Sequence, residues 1–134
     1  MSEIQKSLEA AILKFDESNR TVFGWGIVST IDGQPYVDSQ NDYIGEEAMM
    51  KAAVEFMKGD RVAKMQHTGE PIGRVTVYPL TADIAKALGI QTQKTGMLAS
   101  VHVESDEVLQ KFRSGELKGF SIGGKALQYE QVSA

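Results

Sequence analysis

Leu8-Glu9-Ala10-Ala11-Ile12-Leu13-Lys14-Phe15, then Asp16-Glu17-Ser18-Asn19-Arg20, then Thr21-Val22-Phe23-Gly24-Trp25-Gly26-Ile27-Val28-Ser29 is the stretch that decides the fold. The two apolar runs read as strands and the polar segment between them as a turn, so the simplest pairing is an antiparallel hairpin. In the second run the two-residue period puts Phe23, Trp25 and Ile27 on one face and Val22 and Val28 on the other. Gly24 and Gly26 leave that second face partly bare, which in a strand signals a bend or a close neighbour.

Outward from the hairpin, residues 30–44 form a polar loop with Gly33, Pro35, Asn41 and Asp42. Loops of that length are uncommon in small domains and are often functional or mobile. Residues 46–58 read as a helix, with Met50, Ala53, Val54 and Met57 at the i, i+3, i+4, i+7 spacing. Glu47 and Lys51 make a favourable i, i+4 pair, and Gly59 is placed as a C-terminal cap. Residues 61–66 and 72–78 read as strands around the turn-forming string His67-Thr68-Gly69-Glu70-Pro71, and Pro79 is expected to stop the second.

Thr81 caps a short helix over 82–88 that Gly89 closes. Residues 97–103 alternate as a strand. Ser105-Asp106-Glu107 opens a third helix with Val108, Leu109 and Phe112 on its apolar face and Gly115 at its end, the acids suiting the positive end of the helix dipole. Residues 120–127 form the last strand. The expected fold is mainly β with α, in the α+β class. It is a small closed or nearly closed barrel of about six to seven strands with three peripheral helices, because strands do not alternate with long helices as in a doubly wound sheet.

The 134 residues fit one domain spanning 1–134, with no internal repeat or linker. Hydrophobic residues at 42% and charged residues at 24% are ordinary for a globular fold. The net charge is −4 and no lysine/arginine cluster stands out, so no nucleic-acid partner is expected. No apolar run has the length of a membrane span, and Met1-Ser2-Glu3-Ile4-Gln5-Lys6 lacks a signal-peptide pattern, so no membrane association and a cytoplasmic location are expected. With no cysteine and only His67 and His102, neither a thiolate zinc site nor a multi-histidine metal site is available. No cofactor is expected.

Gly119-Phe120-Ser121-Ile122-Gly123 matches Gly-x-Ser-x-Gly, the string of the hydrolase nucleophile elbow. That elbow needs strand, tight turn and helix, with the acid and histidine after the serine. Here Ser121 sits inside a strand-like run, both histidines precede it and the sequence runs only to Ala134. The elbow reading fails. A serine on a strand is still usable: if Phe120 and Ile122 fill the core, Ser121 faces outward. The flanking glycines then leave backbone uncovered, and N–H groups of Gly123 and Gly124 could meet an oxyanion. The commoner meaning of such a string is a glycine-flanked bend with a surface serine.

His67 closes a strand and opens a turn, where an imidazole can face a neighbouring strand and take a serine proton; the ordinary reading is a solvated loop histidine. His102 shares a strand face with Leu98 and reads as a half-buried histidine. Asp38 and Asp42 do not follow the spacing of a calcium loop, and their default role is bonding to local backbone.

Several ordered pieces carry a resemblance. Phe23-Gly24-Trp25 leads to Val37-Asp38-Ser39-Gln40-Asn41-Asp42-Tyr43-Ile44, then to the helix and Met65-Gln66-His67-Thr68-Gly69. Ala87-Leu88-Gly89-Ile90 and Ser114-Gly115-Glu116-Leu117-Lys118-Gly119-Phe120-Ser121-Ile122-Gly123-Gly124 follow. Over residues 20–127 this resembles the prohead (capsid maturation) serine proteases of tailed bacteriophages. The resemblance implies a barrel similar to the herpesvirus assembly proteases and a serine endopeptidase with His67 as general base and Ser121 as nucleophile.

The same resemblance implies cleavage of scaffold and major capsid protein inside the immature shell in the host cytoplasm. Self-cleavage and a homodimer or higher assembly go with it. It places a third catalytic member after the serine, where Glu130 is the one acid; Asp42, Asp38 and His102 are the other candidates. The chain would then work as a dyad or be the front part of a longer precursor. The alternative function is a non-catalytic module of the same fold that binds capsid or scaffold. An esterase acting on small substrates ranks last.

Overall fold

The computed structural model describes residues 3–59, 61–65, 69–128 and 130–131, with side chains over 8–59, 61–65 and 69–123. In chain order the elements are β1 (Glu3–Asp16), β2 (Thr21–Ile31), β3 (Gln34–Pro35), β4 (Asp42–Tyr43), α1 (Glu46–Lys58) and β5 (Val62–Met65). Then come β6 (Pro71–Leu80), α2 (Ala82–Leu88), β7 (Lys94–His102), α3 (Asp106–Ser114), β8 (Gly119–Gln128) and β9 (Glu130–Gln131).

The sheet runs β1-β8-β5-β6-β7-β2-β3, and β1 also pairs with β2, so six antiparallel strands close into a barrel with β3 appended. Closure removes the exposed strand edges that an open sheet would present. β1 is the corner. Its first part pairs with β8, from Glu3↔Gln128 to Ala11↔Gly119, and its end pairs with β2 in the expected hairpin, from Ile12↔Gly24 to Asp16↔Thr21. The hairpin turn is held by Asp16, which accepts from Ser18 Oγ at 2.9 Å and Asn19 Nδ2 at 2.8 Å. Those bonds lower the Asp16 pKa, the Asn19 side-chain bond being the larger cause.

The barrel interior is filled by Leu8 and Ala10, Val22 and Ile27, Ala63, Ile72, Val75 and Val77, Met97, Ala99 and Val101, and Phe120 and Ile122. The expected grouping of Phe23, Trp25 and Ile27 is corrected. The β2–β7 register shifts between Trp25 and Ile27, so the strand is bulged there. A bulge adds one residue and reverses which parity faces inward; Val22 before it and Ile27 after it are both buried. The close neighbour expected beside Gly24 is present: a Cβ there would lie 2.4 Å from the Ala11 carbonyl oxygen.

α1 contacts β2, β6, β7 and β8, strands from both sides of the barrel, so it covers one end. Its buried residues are Met49 and Ala53, with Ala52, Phe56 and Met57 partly buried beside them, while Val54 is 47% exposed. The core-facing stripe is therefore rotated by one residue from the expected Met50, Ala53, Val54, Met57 set. Gly59 caps the helix in extended backbone through its N–H to Phe56 O. α2 and α3 have the expected caps: Thr81 accepts from Ile84 N and Ser105 from Val108 N, and Gly89 and Gly115 close in the left-handed conformation. Val108, Leu109 and Phe112 are buried as the apolar face of α3.

Several boundaries move, β1 beginning at Glu3 and β7 at Lys94 among them. β6 continues through Pro79 to Leu80. Beyond Arg74 it pairs with β7 alone, leaving one side of the strand where a proline without an N–H is tolerated. The loop 30–44 contains β3, on the edge of β2, and β4, which pairs with β9 near the far end of the sequence.

Candidate active site

Ser121 is set by the strand it sits on. Phe120 and Ile122 are both 0% exposed and lock into the barrel, each contributing roughly 1.5–3 kcal/mol from burial. Alternation along β8 then turns Ser121 outward, as expected from its string. Across β8 it stands between two neighbours. Glu9 on β1 is directly opposite on one side and Lys64 on β5 on the other. The Ser121 hydroxyl donates to Glu9 Oε1 at 2.6 Å. Glu9 is the one functional candidate that the sequence did not single out.

Among the described residues nothing covers the surface beside the hydroxyl at Gly123. Gly123 shares the Ser121 face, and a Cβ there would meet no described atom within 4 Å. Gly119, on the other flank, is tight: a Cβ would stand 2.5 Å from the Ala10 carbonyl oxygen. Gly123 and Gly124 pair with Ser7 and Lys6 of β1. β5 pairs with β8 only at Phe120, Ser121 and Ile122. The β5 side of the β8 backbone beyond Ile122 therefore has no ladder partner among the described residues. Outward-facing N–H groups on that side are the kind of donors an oxyanion requires.

His67 lies outside the described residues. It follows Met65, the last residue of β5, by two positions, and Met65 pairs with Phe120 next to the serine. Of the described residues on either side of it, Met65 N–H donates to Glu70 O at 2.6 Å and Gly69 N–H to Met65 O at 3.1 Å.

The structure describes the surroundings of His102 and Asp38 and, in part, of Asp42 and Glu130. His102 is on β7, which stands opposite β8 in the barrel order with two strands between them either way round. It is exposed, and its Nδ1 donates to Asn19 O at 3.1 Å, so the structure does not bring it to the serine, and the half-buried reading is corrected. Asp38 bonds local backbone, its Oδ1 accepting from Gln40 N at 2.8 Å and Asp42 N at 2.9 Å. Asp42 is buried in β4, opposite Gln131. Glu130 pairs through its backbone with Tyr43; its side chain lies outside the described residues. Among the described residues no group of three or more histidine or acidic side chains is arranged to hold a metal.

The concavity between α1 and the start of α2, lined by Glu46, Met50, Val54, Thr81 and Asp83, does not include Ser121. Ser121 is half-buried on the outer face of β8.

The fold and this serine define a small closed antiparallel barrel with a hydroxyl exposed on its outer wall. A family model described as "Putative phage serine protease XkdF" matches residues 9–130, and the chain belongs to that family. Searches of curated proteins and of solved structures gave no significant match.

Proposed function

We propose that the chain is a serine endopeptidase of phage capsid maturation, similar in architecture to the herpesvirus assembly proteases. Ser121 is the nucleophile and His67 the general base. The observation that carries this reading is the presentation of Ser121: an outward hydroxyl held between two core residues, beside bare backbone at Gly123, in a chain of a phage serine protease family.

In the proposed reaction, Ser121 Oγ attacks the scissile carbonyl carbon while His67 takes its proton. The carbonyl electrons move onto oxygen, where N–H groups of the Gly123 and Gly124 region stabilise the charge. Collapse expels the amine, which receives the proton from His67, and water then releases the acyl group by the same steps reversed. The substrates are the scaffold and the major capsid protein, with self-cleavage as a further event, within the immature shell in the host cytoplasm. A homodimer or higher assembly is the working form. An extended substrate would lie along the outer wall beside β8.

Co-expression with the scaffold and capsid proteins tests the reading. The unaltered protein is expected to process them, and Ser121→Ala and His67→Ala are expected to leave both at full length. Processing by Ser121→Ala at the unaltered rate removes Ser121 from the mechanism.

A further inference from the structure

A serine hydroxyl has one proton, so it can be a donor to one acceptor at a time. Of the two residues directly across from Ser121, Lys64 offers only donors, and Glu9 offers a carboxylate. The proton goes to Glu9 Oε1 at 2.6 Å, within the range of charge-assisted O–H···O⁻ bonds. Glu9 is held there by its own strand, because Leu8 and Ala10 on either side of it are buried in the barrel. In that bond the hydroxyl proton is directed at Glu9 Oε1 and is not offered to any other acceptor, so the hydroxyl is held in one orientation.

We propose that Glu9 is a positioning residue that restrains the nucleophile. It keeps the Ser121 proton turned toward β1, away from any base on the β5 side, and the hydroxyl reacts only after turning off Glu9. The proposal rests on Ser121 being the nucleophile and adds the group that governs its resting orientation. An exposed hydrogen bond of this kind is worth enough to hold the reactive orientation to a minority, by about two- to tenfold.

The test is the rate at which a fluorophosphonate labels Ser121, followed by intact mass. The Oγ–P bond forms, fluoride leaves and the proton passes to base. Glu9→Ala is expected to be labelled about two- to tenfold faster than the unaltered protein. Glu9→Gln, whose amide oxygen still accepts, is expected between the two, with no Ser121 adduct in Ser121→Ala. Mere loss of structure would not raise the rate, and Glu9→Gln decides the matter if Glu9→Ala does not fold. Labelling of both Glu9 variants at or below the unaltered rate overturns the restraint and leaves the nucleophile standing. No adduct at Ser121 in any of the proteins overturns the nucleophile, and the restraint with it.

Discussion

The Ser121 hydroxyl and the Glu9 carboxylate meet at 2.6 Å across the pairing of β8 with β1, strands from opposite ends of the chain. The contact exists because barrel closure brings those two strands side by side. Their inward neighbours, Leu8 and Ala10 on one strand and Phe120 and Ile122 on the other, fix the register. A slip of one residue would bury the serine and expose the core.

The two glycines flanking Ser121 are expected to respond in opposite ways to an added methyl. In Gly123→Ala the methyl meets no described atom within 4 Å, so stability should stay within about 0.5 kcal/mol, while crowding beside the hydroxyl slows cleavage. In Gly119→Ala the methyl is driven against the Ala10 carbonyl, and the loss should be about 1–3 kcal/mol. Urea unfolding alongside a cleavage assay separates them. A strongly destabilised Gly123→Ala would contradict the uncovered surface.

Phe120 and Ser121 are adjacent but face opposite sides. Phe120→Ala is expected to cost about 3–5 kcal/mol, since it empties a fully buried ring site. Ser121→Ala, which loses only the bond to Glu9, is expected to change stability by no more than about 1.5 kcal/mol. Denaturant midpoints of the two variants check this, and equal large losses would mean that Ser121 is part of the core.

Arg20 ties the β1–β2 turn to the start of α3. Its Nε donates to Val103 O at 2.9 Å, its Nη2 to Glu104 O at 2.7 Å, and it pairs with Asp106 at 2.8 Å. Arg20→Ala is expected to lose about 1–2 kcal/mol in thermal or denaturant unfolding. Arg20→Lys should recover little, because an ammonium cannot reproduce the guanidinium fork.

Asp16 gives the hairpin a pH dependence. Its folded pKa lies below the usual 3.8 because Asn19 and Ser18 bond the ionised carboxylate. A depressed carboxylate contributes stability that is present above its unfolded pKa and is lost as pH falls through the folded one. Asp16→Asn should therefore be less stable than the unaltered protein at neutral pH. The gap should close below pH 3.8. A gap that stays constant across the acid range would contradict the assignment.

What could be read from the sequence was what is encoded locally. The Thr81 and Ser105 caps, the closing Gly89 and Gly115, and the outward turn of Ser121 between Phe120 and Ile122 each depend on a few adjacent residues. The β2 face was misread because its bulge is imposed by pairing with β7. In α1, a stripe through Met49 and Phe56 and one through Met50 and Val54 both satisfy helical spacing, and only the barrel end it covers selects between them. β4 found its partner β9 from the far side of the sequence. Glu9 gave no local signal, since its role comes from a strand 112 positions away.

Mapping the adduct of a serine-directed fluorophosphonate by peptide mass spectrometry tests the central claim most directly. A single modified residue at Ser121, lost on denaturing the protein before labelling, is the predicted result. A folded protein that takes up no reagent at Ser121, or takes it up at another serine with Ser121 untouched, would contradict it.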